Sequence, residues 1–283
     1  MTASPLVLVG TPIGNLGDIS PRALEALSSA AVIACEDTRR TGRLLSHFGI
    51  ESPTYVVVNE HTEGEAAPRI VDRLRSGDSV VLVSDAGMPG ISDPGEFLVQ
   101  QVLEAGLEVV AIPGPSAVLH ALVVSGLVTS RFVFEGFLPR KGGVRSTRLR
   151  EIADERRTVV MFEAPHRLVR TLGDLIEVCG ADRPIAVARE LTKLHEEIWR
   201  GTSGEALARW DSVEPRGEFV LVLGAGPAPD APGDAEIRAA LDEAQKAGGS
   251  RRDAVDEVAR NLSIPRNRVY RLATDVQFSA TGE

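Results

Sequence analysis

The stretch Val80–Gly95, VVLVSDAGMPGISDPG, determines the fold that we predict for this 283-residue chain. It begins with four consecutive aliphatic residues and continues into a loop rich in glycine, proline and aspartate. A continuous apolar run is typical of a parallel strand that helices cover on both faces, whereas a half-exposed strand alternates apolar and polar residues. The loop therefore follows the carboxyl end of a buried strand, which is where open α/β sheets bind ligands.

Similar apolar runs recur on both sides of this stretch. Those of the first half are separated by segments of helical period such as Arg22–Leu27 and Ala66–Arg75, and they are Leu6–Val9, Ala31–Ala34, Tyr55–Val58 and Val109–Ile112. This alternation predicts βαβ units around a mainly parallel sheet. A second series predicts a second α/β domain: Phe132–Glu135, Val159–Glu163, Ile185–Ala188 and Phe219–Leu223.

We expect two α/β domains with mainly parallel or mixed sheets, at residues 1–121 and 122–224, and a small C-terminal helical domain at residues 234–283. The residues between them, 225–233, are dense in glycine, proline and alanine, which is typical of a linker. Ser250 is a candidate helix N-cap in the tail, and arginines follow Pro265. The tail is compatible with a helix-turn-helix and equally with a helical cap that packs on the main body.

Composition limits the class of protein. Hydrophobic residues make up 43% of the chain and charged residues 25%, which indicates a globular protein rather than a disordered one. The apolar runs are far shorter than the roughly 20 residues that span a bilayer, and no secretory leader is evident, so we expect a cytoplasmic protein. Cys35 and Cys179 lie far apart without the paired spacing of a zinc site, so we expect no metal.

The formal net charge of −9 argues at first against a nucleic-acid partner. Positive charge is nevertheless concentrated in two stretches: Arg131–Arg170 carries a net charge of +5 and Arg251–Arg271 one of +3. They are candidates for a surface that contacts phosphates, or they are simply solvated faces.

Four predicted strands end in loops of unusual composition: Gly10–Leu16, Glu36–Arg39, Ser84–Gly95 and Pro113–Ala117. None contains a Walker A motif or GxGxxG, so a site for nucleoside triphosphates or dinucleotides is not indicated. Asp85 and Asp93 suit a ligand that has a cationic group and hydroxyls, as S-adenosylmethionine has. Each loop alone is compatible with an ordinary tight turn, and the four together favour a ligand site.

Eight sequence strings run in order through nearly the whole chain: GTPIGNLGDIS (10–20), CEDTR (35–39), VSDAGMPGISDPG (83–95), IPGPSA (112–117), FEGFLPRKG (134–142), FEAPHR (162–167), ARELTKLHEE (188–197) and the terminal helical piece. In this order they resemble the tetrapyrrole methylase superfamily and, within it, the ribosomal RNA small-subunit methyltransferase I family. PGPSA alone would mark only the superfamily. CEDTR, FLPRKG and ELTKLHEE resemble the RNA-modifying branch.

The resemblance implies an enzyme that uses S-adenosylmethionine to methylate the ribose 2′-hydroxyl of a cytidine in the decoding region of 16S ribosomal RNA. It also implies a homodimer, with the cofactor folded in the cleft between two domains. The cofactor-binding residues that it implies are Leu8, Pro12, Asp85, Ala86, Gly87, Met88, Ser92, Ser116, Ala117, Phe162 and Ala188.

A ribose hydroxyl is a poor nucleophile, so transfer requires a base or a cation near the developing alkoxide. Lys193 is a candidate because the chain has only three lysines against 28 arginines, and a partly buried lysine can lose its proton. Glu190 or Asp37 would orient it. Other acids, bases and cations near these strings remain open as candidates: Glu36, Arg39, Glu60, His61, His166, Arg167 and His195.

The glycine-rich stretch after Phe137 predicts a basic loop that contacts RNA phosphates or is simply solvated, and crowded basic residues favour the contact. The expected RNA-binding residues are Arg39, Arg140, Lys141, Arg145, His166 and Arg167. Two other functions remain open at this stage. One is a methyltransferase that acts on a small tetrapyrrole or corrin precursor. The other is a non-catalytic regulator that binds nucleic acid through its C-terminal arginines.

Overall fold

The computed structural model describes residues 2–51, 54–227, 232–248, 250–262 and 264–274. The chain divides into two compact units, Met1–Gly226 and Pro227–Glu283. Residues 228–231 of the predicted linker and residues 275–283 of the predicted helical domain lie outside the described part. The separation of residues 1–121 from 122–224 as two domains stays a prediction.

The first sheet of the Met1–Gly226 unit is parallel throughout, with strand order β3-β2-β4-β1-β5. Its strands are β1 (Leu6–Val9), β2 (Val32–Cys35), β3 (Thr54–Val57), β4 (Val80–Val83) and β5 (Val109–Ile112). Its helices are α1 (Pro21–Ser29), α2 (Thr38–His47), α3 (Glu63–Arg75), α4 (Glu96–Glu104) and α5 (Ala117–Val124). Every residue of β4 is buried, as its continuous apolar run predicts.

Helices cover both faces of this sheet. On one face, α3 and α4 contribute Ile70 and Leu98 to a core with Leu6 of β1. On the other face, α1 and α2 contribute Leu27 and Leu45 to a second core. The central strands β2 and β4 are therefore buried along their whole length, which is why their sequences are apolar without alternation.

The second sheet is mixed, with strand order β6-β7-β10-β8-β9. Its elements are β6 (Phe132–Phe137), α6 (Gly142–Asp154), β7 (Thr158–Glu163), α7 (Leu168–Cys179), β8 (Pro184–Arg189), β9 (Glu197–Thr202), α8 (Ser203–Asp211) and β10 (Phe219–Leu223). β6 pairs with β7 in parallel, and the remaining pairs are antiparallel. The expected α/β fold class, with parallel and mixed sheets, is confirmed.

Helix α5 joins the two halves of the unit. Its residues Val118, Ala121 and Leu122 pack in one cluster with Val160 and Val220 of the second sheet. The opposite face of that sheet packs against α6, α7 and α8. The first half of the chain thus supplies the helix that covers one face of the second sheet.

The Pro227–Glu283 unit contains three described helices, α9 (Asp234–Lys246), α10 (Arg251–Asn261) and α11 (Arg266–Ala273). They share a core that includes Leu241, Val255 and Val269. Ser250 caps α10, as predicted, by accepting a hydrogen bond from the Asp253 backbone N–H at 3.2 Å. The helix-turn-helix interpretation stays a prediction. No helix in the described part of the chain is both long and apolar enough to cross a bilayer.

Arg145 on α6 is buried and bonded to α7. Its Nε and Nη2 donate to Asp174 Oδ2 at 2.8 and 2.6 Å, and Nη2 also donates to Thr171 Oγ1 at 2.9 Å. Its Nη1 donates to the Pro139 carbonyl at 2.9 Å. The expectation that Arg145 contacts RNA is therefore corrected: only 4% of its side chain is exposed, because α7 supplies a carboxylate that neutralises it.

We expect Arg145→Ala to lower the free energy of unfolding by about 3 kcal/mol, because it removes the short hydrogen bonds to Asp174 and Thr171 and leaves Asp174 with the more distant Arg170 at 3.8 Å. Urea denaturation measures the change. Arg150→Ala, on an exposed position of the same helix, is the matched control and should change stability by less than about 0.5 kcal/mol. A loss below about 1 kcal/mol for Arg145→Ala would contradict the structural role.

Candidate functional site

The loops at the carboxyl ends of the first sheet are tied to one another. Thr11 and Gly87 exchange backbone hydrogen bonds at 2.9 and 3.1 Å, which joins the loop after β1 to the loop after β4. Asp85 Oδ1 accepts the backbone N–H of Asp37 at 3.2 Å, and Asp85 Oδ2 lies 3.3 Å from Arg40. The loop after β2 is thereby joined to the same group.

The loop after β5 approaches the loop after β1 even more closely. A Cβ atom built on Gly114 would lie 2.7 Å from the Gly10 Cα, and one built on Gly10 would lie 2.7 Å from the Gly114 Cα. Real Cβ atoms essentially never come this close to backbone atoms. Glycine is therefore required at both positions for the two loops to meet.

A cavity of about 650 Å³ opens where these loops face the second sheet. It is largely apolar and contains a few polar groups, which is typical of a small-molecule site. Seven of the predicted cofactor residues line it: Ala86, Gly87, Met88, Ser92, Ser116, Ala117 and Phe162. Ser116 also caps α5, accepting a hydrogen bond from the Leu119 N–H at 3.4 Å.

Four predicted cofactor residues lie elsewhere. Pro12 and Asp85 line a separate cavity of about 330 Å³ together with Arg40. Leu8 is a half-buried residue of β1 that packs against the core under α3 and α4. Ala188 is 1% exposed and packs in the cluster with α5, so its side chain lies in the core and not on the cavity wall.

The second sheet supplies an aromatic wall to the cavity. Phe162 lies 5.0 Å from Phe134 and 5.5 Å from Phe137, measured between ring centroids. Next to Phe162, the buried Glu163 accepts the Thr171 hydroxyl at 2.5 Å and lies 3.2 Å from Arg167. Arg167 also donates to the Leu138 carbonyl at 2.5 Å, and only 16% of its side chain is exposed. Arg167 thus bonds within the protein, which argues against a contact with RNA.

Lys193 lies beside this cavity in a network of carboxylates. Its Nζ donates to Glu190 Oε1 at 3.0 Å and to Glu218 Oε2 at 2.7 Å. Glu190 Oε1 also accepts the Glu218 backbone N–H at 2.9 Å, and Glu218 lines the cavity. Asp37 does not take part, because its carboxylate pairs with Arg39 at 2.9 Å. Of the two acids expected to orient Lys193, Glu190 therefore bonds to it and Asp37 does not.

The loop that carries Lys193 has unusual backbone geometry. Glu190 and Thr192 have φ angles of +51° and +63°, and such left-handed conformations are rare for residues other than glycine, above all for a β-branched one. The Thr192 hydroxyl is buried without a hydrogen-bond partner among the described residues. A Cβ atom built on Gly14 would lie 2.8 Å from that hydroxyl. The loop after β1 is therefore in close contact with this strained loop. Strain of this kind is characteristic of functional sites.

These contacts determine protonation. Burial lowers the pKa of Lys193, but its hydrogen bonds to Glu218 and Glu190 outweigh burial and leave the pKa above its ordinary value. Burial likewise raises the pKa of Glu190, but the bonds from Lys193 and from the Glu218 N–H bring it below its ordinary value. Hydrogen bonds from Arg39 lower the pKa of Asp37 to about 2. Lys193 is therefore a cation at neutral pH, and Glu190 and Asp37 are anions.

A second, polar cavity of about 730 Å³ adjoins the apolar one. Its lining includes Asn59, Glu60, His61 and Phe97, and it shares Ser92 and Asp93 with the apolar cavity. Burial raises the pKa of Asp93 to about 6, with the Glu36 carboxylate acting in the same direction. Burial, followed by the Asp85 carboxylate, also raises the pKa of Glu36.

The basic loop after β6 lies next to the apolar cavity. Phe137 lines that cavity, and the exposed Arg140 and Lys141 follow it. In the described part of the chain, neither of the two cationic groups has an ion-pair partner. Of the other predicted RNA-binding residues, His166 is exposed, and Arg39 is exposed beside Asp37.

Part of the cavity wall was not predicted from the sequence. Ile13, Phe137, Leu191 and Glu218 line it without having been singled out. Three of them do lie inside strings quoted above: Ile13 in GTPIGNLGDIS, Phe137 in FEGFLPRKG and Leu191 in ARELTKLHEE. Glu218 carries no local signal, because its contact with Lys193 joins segments that are 25 residues apart.

We expect Gly114→Ala to lower the free energy of unfolding by about 1–3 kcal/mol, because the new methyl group would force the Gly10 backbone away. Urea denaturation tests this. The control is Gly64→Ala on α3, where a Cβ meets no atom within 4 Å; it should be neutral or stabilising by up to about 1 kcal/mol. Equal effects of the two substitutions would contradict the close approach of the loops.

Comparisons with known proteins agree with this architecture. Residues 5–207 match the family Tetrapyrrole (Corrin/Porphyrin) Methylases. The chain is 45% identical to Ribosomal RNA small subunit methyltransferase I of Synechocystis sp., over 96% of this chain and 98% of the relative. It is 47% identical to the protein of the same name in Pseudomonas aeruginosa, over 81% of this chain and 82% of the relative.

A solved structure shares the fold at low sequence identity. Uroporphyrin-III C-methyl transferase from Thermus thermophilus, complexed with S-adenyl homocysteine, superposes with a TM-score of 0.57 at 22% identity. The match covers 78% of this chain and 97% of that one. The structural likeness shows a shared fold, and the family match and the sequence relatives place the chain: it belongs to the tetrapyrrole methylase family and, within it, to the ribosomal RNA small subunit methyltransferase I group.

Proposed function

We propose that this protein transfers a methyl group from S-adenosylmethionine to the ribose 2′-hydroxyl of a cytidine in the decoding region of 16S ribosomal RNA. The observation that carries the proposal is the apolar cavity of about 650 Å³, assembled from the loops of the first sheet and the edge of the second. The names of the relatives, at 45–47% identity over most of the chain, support ribosomal RNA as the substrate.

The residues of the cavity fit S-adenosylmethionine. Glycines at 87 and 114 leave backbone accessible, and Met88 and Phe162 offer apolar contact for a flat ring. Glu218 provides negative charge for the cationic groups of the cofactor. We infer that the lining residues Ala86, Ser92, Ser116 and Ala117 complete its binding site. The four other predicted residues do not line the cavity and would support the site only indirectly: Leu8, Pro12, Asp85 and Ala188.

The bound cofactor supplies an already activated methyl group, so the protein has to orient the two reactants and handle one proton. Lys193 carries a positive charge that Glu190 and Glu218 hold at the side of the cavity. We infer that this ammonium stabilises negative charge that develops on the ribose oxygen, and that Glu190 is its positioning residue. A protonated Lys193 does not accept the proton. Asp37 would hold Arg39 rather than act on the substrate.

RNA would approach from the side of the basic loop. Arg140 and Lys141 are exposed next to Phe137, and phosphate contacts there would bring a ribose to the mouth of the cavity. Arg39 and His166 are further exposed candidates. Cytoplasmic ribosomal RNA as the substrate implies a cytoplasmic enzyme.

We also infer a homodimer. Several apolar side chains on or after α5 and beside Lys193 are largely exposed: Val123 by 69%, Val128 by 64% and Leu194 by 93%. Where such groups form a contiguous patch, they are typical of a surface that a second protein covers, and the resemblance to a dimeric family supports the same inference.

The direct test is to incubate the protein with methyl-labelled cofactor and either assembled small ribosomal subunits, naked 16S RNA or uroporphyrinogen. We expect label on a ribose 2′-oxygen of a decoding-region cytidine, located by nuclease digestion and mass spectrometry. Label on a base, or on the tetrapyrrole alone, would contradict the proposal. Binding of nucleic acid without any transfer would indicate a regulator instead.

The basic loop has its own test. Arg140→Ala combined with Lys141→Ala should weaken RNA binding and reduce the slope of log K against log salt by about 1.4–1.8, since each phosphate contact contributes roughly 0.7–0.9. Filter binding at several salt concentrations measures the slope. Arg75→Ala, an exposed arginine on α3, is the control and should leave it unchanged. An unaltered slope in the double variant would remove the loop from the RNA-binding surface.

A further inference from the structure

Asp93 is placed where the two cavities meet. It lines the apolar cavity together with Met88 and Phe162, and it lines the polar cavity together with Asn59 and Phe97. If the cofactor fills the apolar cavity, a nucleoside in the adjoining polar cavity would meet it at this boundary. Ser92 is the other residue common to both linings.

The loop that carries Asp93 is held rigidly. Ser92 has a φ angle of +60°, and the Gly90 N–H donates to the Pro94 carbonyl at 3.1 Å, which closes a tight turn around Asp93. Glu63 Oε1 accepts the backbone N–H groups of Gly95 and Leu98 at 3.0 and 2.9 Å. Such a strained and pinned loop presents a side chain in one orientation, which is what a catalytic group needs.

Other ionisable groups near the apolar cavity are poor proton acceptors. Lys193 keeps its proton, and Glu190 accepts hydrogen bonds from Lys193 and from the Glu218 backbone. Glu163 is bonded to Thr171 and Arg167. Glu218 is paired with Lys193 at 2.7 Å. In the described part of the chain, Asp93 has no ion-pair partner.

We propose that Asp93 is the general base that removes the proton from the nucleophilic ribose hydroxyl. This inference rests on the proposed function. In the step, the O–H bond breaks and its proton passes to the Asp93 carboxylate. The oxygen forms a bond to the methyl carbon, the S–CH₃ bond breaks, and its electron pair remains on the sulfur as a neutral thioether. Charge balances, because the sulfonium cation and the carboxylate anion are both neutralised.

The electrostatic environment suits this role. Burial raises the pKa of Asp93 to about 6, and the Glu36 and Asp85 carboxylates act in the same direction. A hydrogen bond with Ser84 lowers this pKa and so acts against them. The titratable groups that share the polar cavity are Glu36, Glu60, His61, Glu63 and Glu96. A base whose pKa lies just below neutrality is ionised at pH 7 and still binds a proton well. We therefore expect activity to fall as the pH is lowered through about 6.

The test is the rate of methyl transfer in a single turnover, with both substrates saturating, between pH 5 and 9. Asp93→Asn should reduce this rate by about 10²–10⁴-fold, a typical contribution of a general base, and should remove the inflection near pH 6. Affinities for RNA and for S-adenosylhomocysteine should change by less than about threefold. The melting temperature of the Asp93→Asn variant should be unchanged or higher than that of the wild type, because the substitution removes a buried charge.

Glu96→Gln is the matched control: it removes one carboxylate from the polar cavity but not from the apolar one, and it should keep the wild-type rate and inflection. Asp93→Glu should have a higher rate of methyl transfer than Asp93→Asn, and the inflection in its pH–rate profile should lie at a different pH from that of the wild type. An Asp93→Asn rate within tenfold of wild type, or an inflection that persists in it, would overturn the inference while methylation by the wild-type protein stands. Absence of ribose methylation by the wild-type protein would overturn the proposed function itself.

Discussion

The structure depends on one close approach, that of the backbone at Gly10 and Gly114, where only hydrogen atoms occupy the place of side chains. Because β1 lies between β4 and β5, the loops that follow these strands start side by side at the same edge of the sheet. The glycine contact and the Thr11–Gly87 pairing hold them together. The apolar cavity is the space left between this joined set of loops and the second sheet.

Helix α5 contributes to the wall of the cavity at that edge of the sheet. It begins directly after the loop that contains Gly114, and its residues Val118 and Leu122 pack on the second sheet. The lining residues Ser116 and Ala117 therefore lie at the point where the first half of the chain contacts the second. The packing of α5 on the second sheet thus also determines the position of these two residues in the cavity wall.

The sequence predicted what depends on local pattern. The strands of the first sheet were found within a residue because buried parallel strands have continuous apolar runs, as in Val80–Val83. The edge strand Glu197–Thr202 was missed because it is half-buried and contains charged and polar residues. Arg145 was misassigned because its partner Asp174 lies 29 residues away and on another helix. The pairing of Lys193 with Glu218 could not be predicted for the same reason.

The central claim is that the donor lies in the apolar cavity between the strand-end loops and the second sheet. The most direct measurement is a crystal structure of the protein with S-adenosylhomocysteine bound. The account predicts the ligand against Met88, Ser116 and Phe162. Ligand found instead in the polar cavity beside Asn59 and Glu60, or in the small cavity beside Pro12 and Arg40, would contradict it.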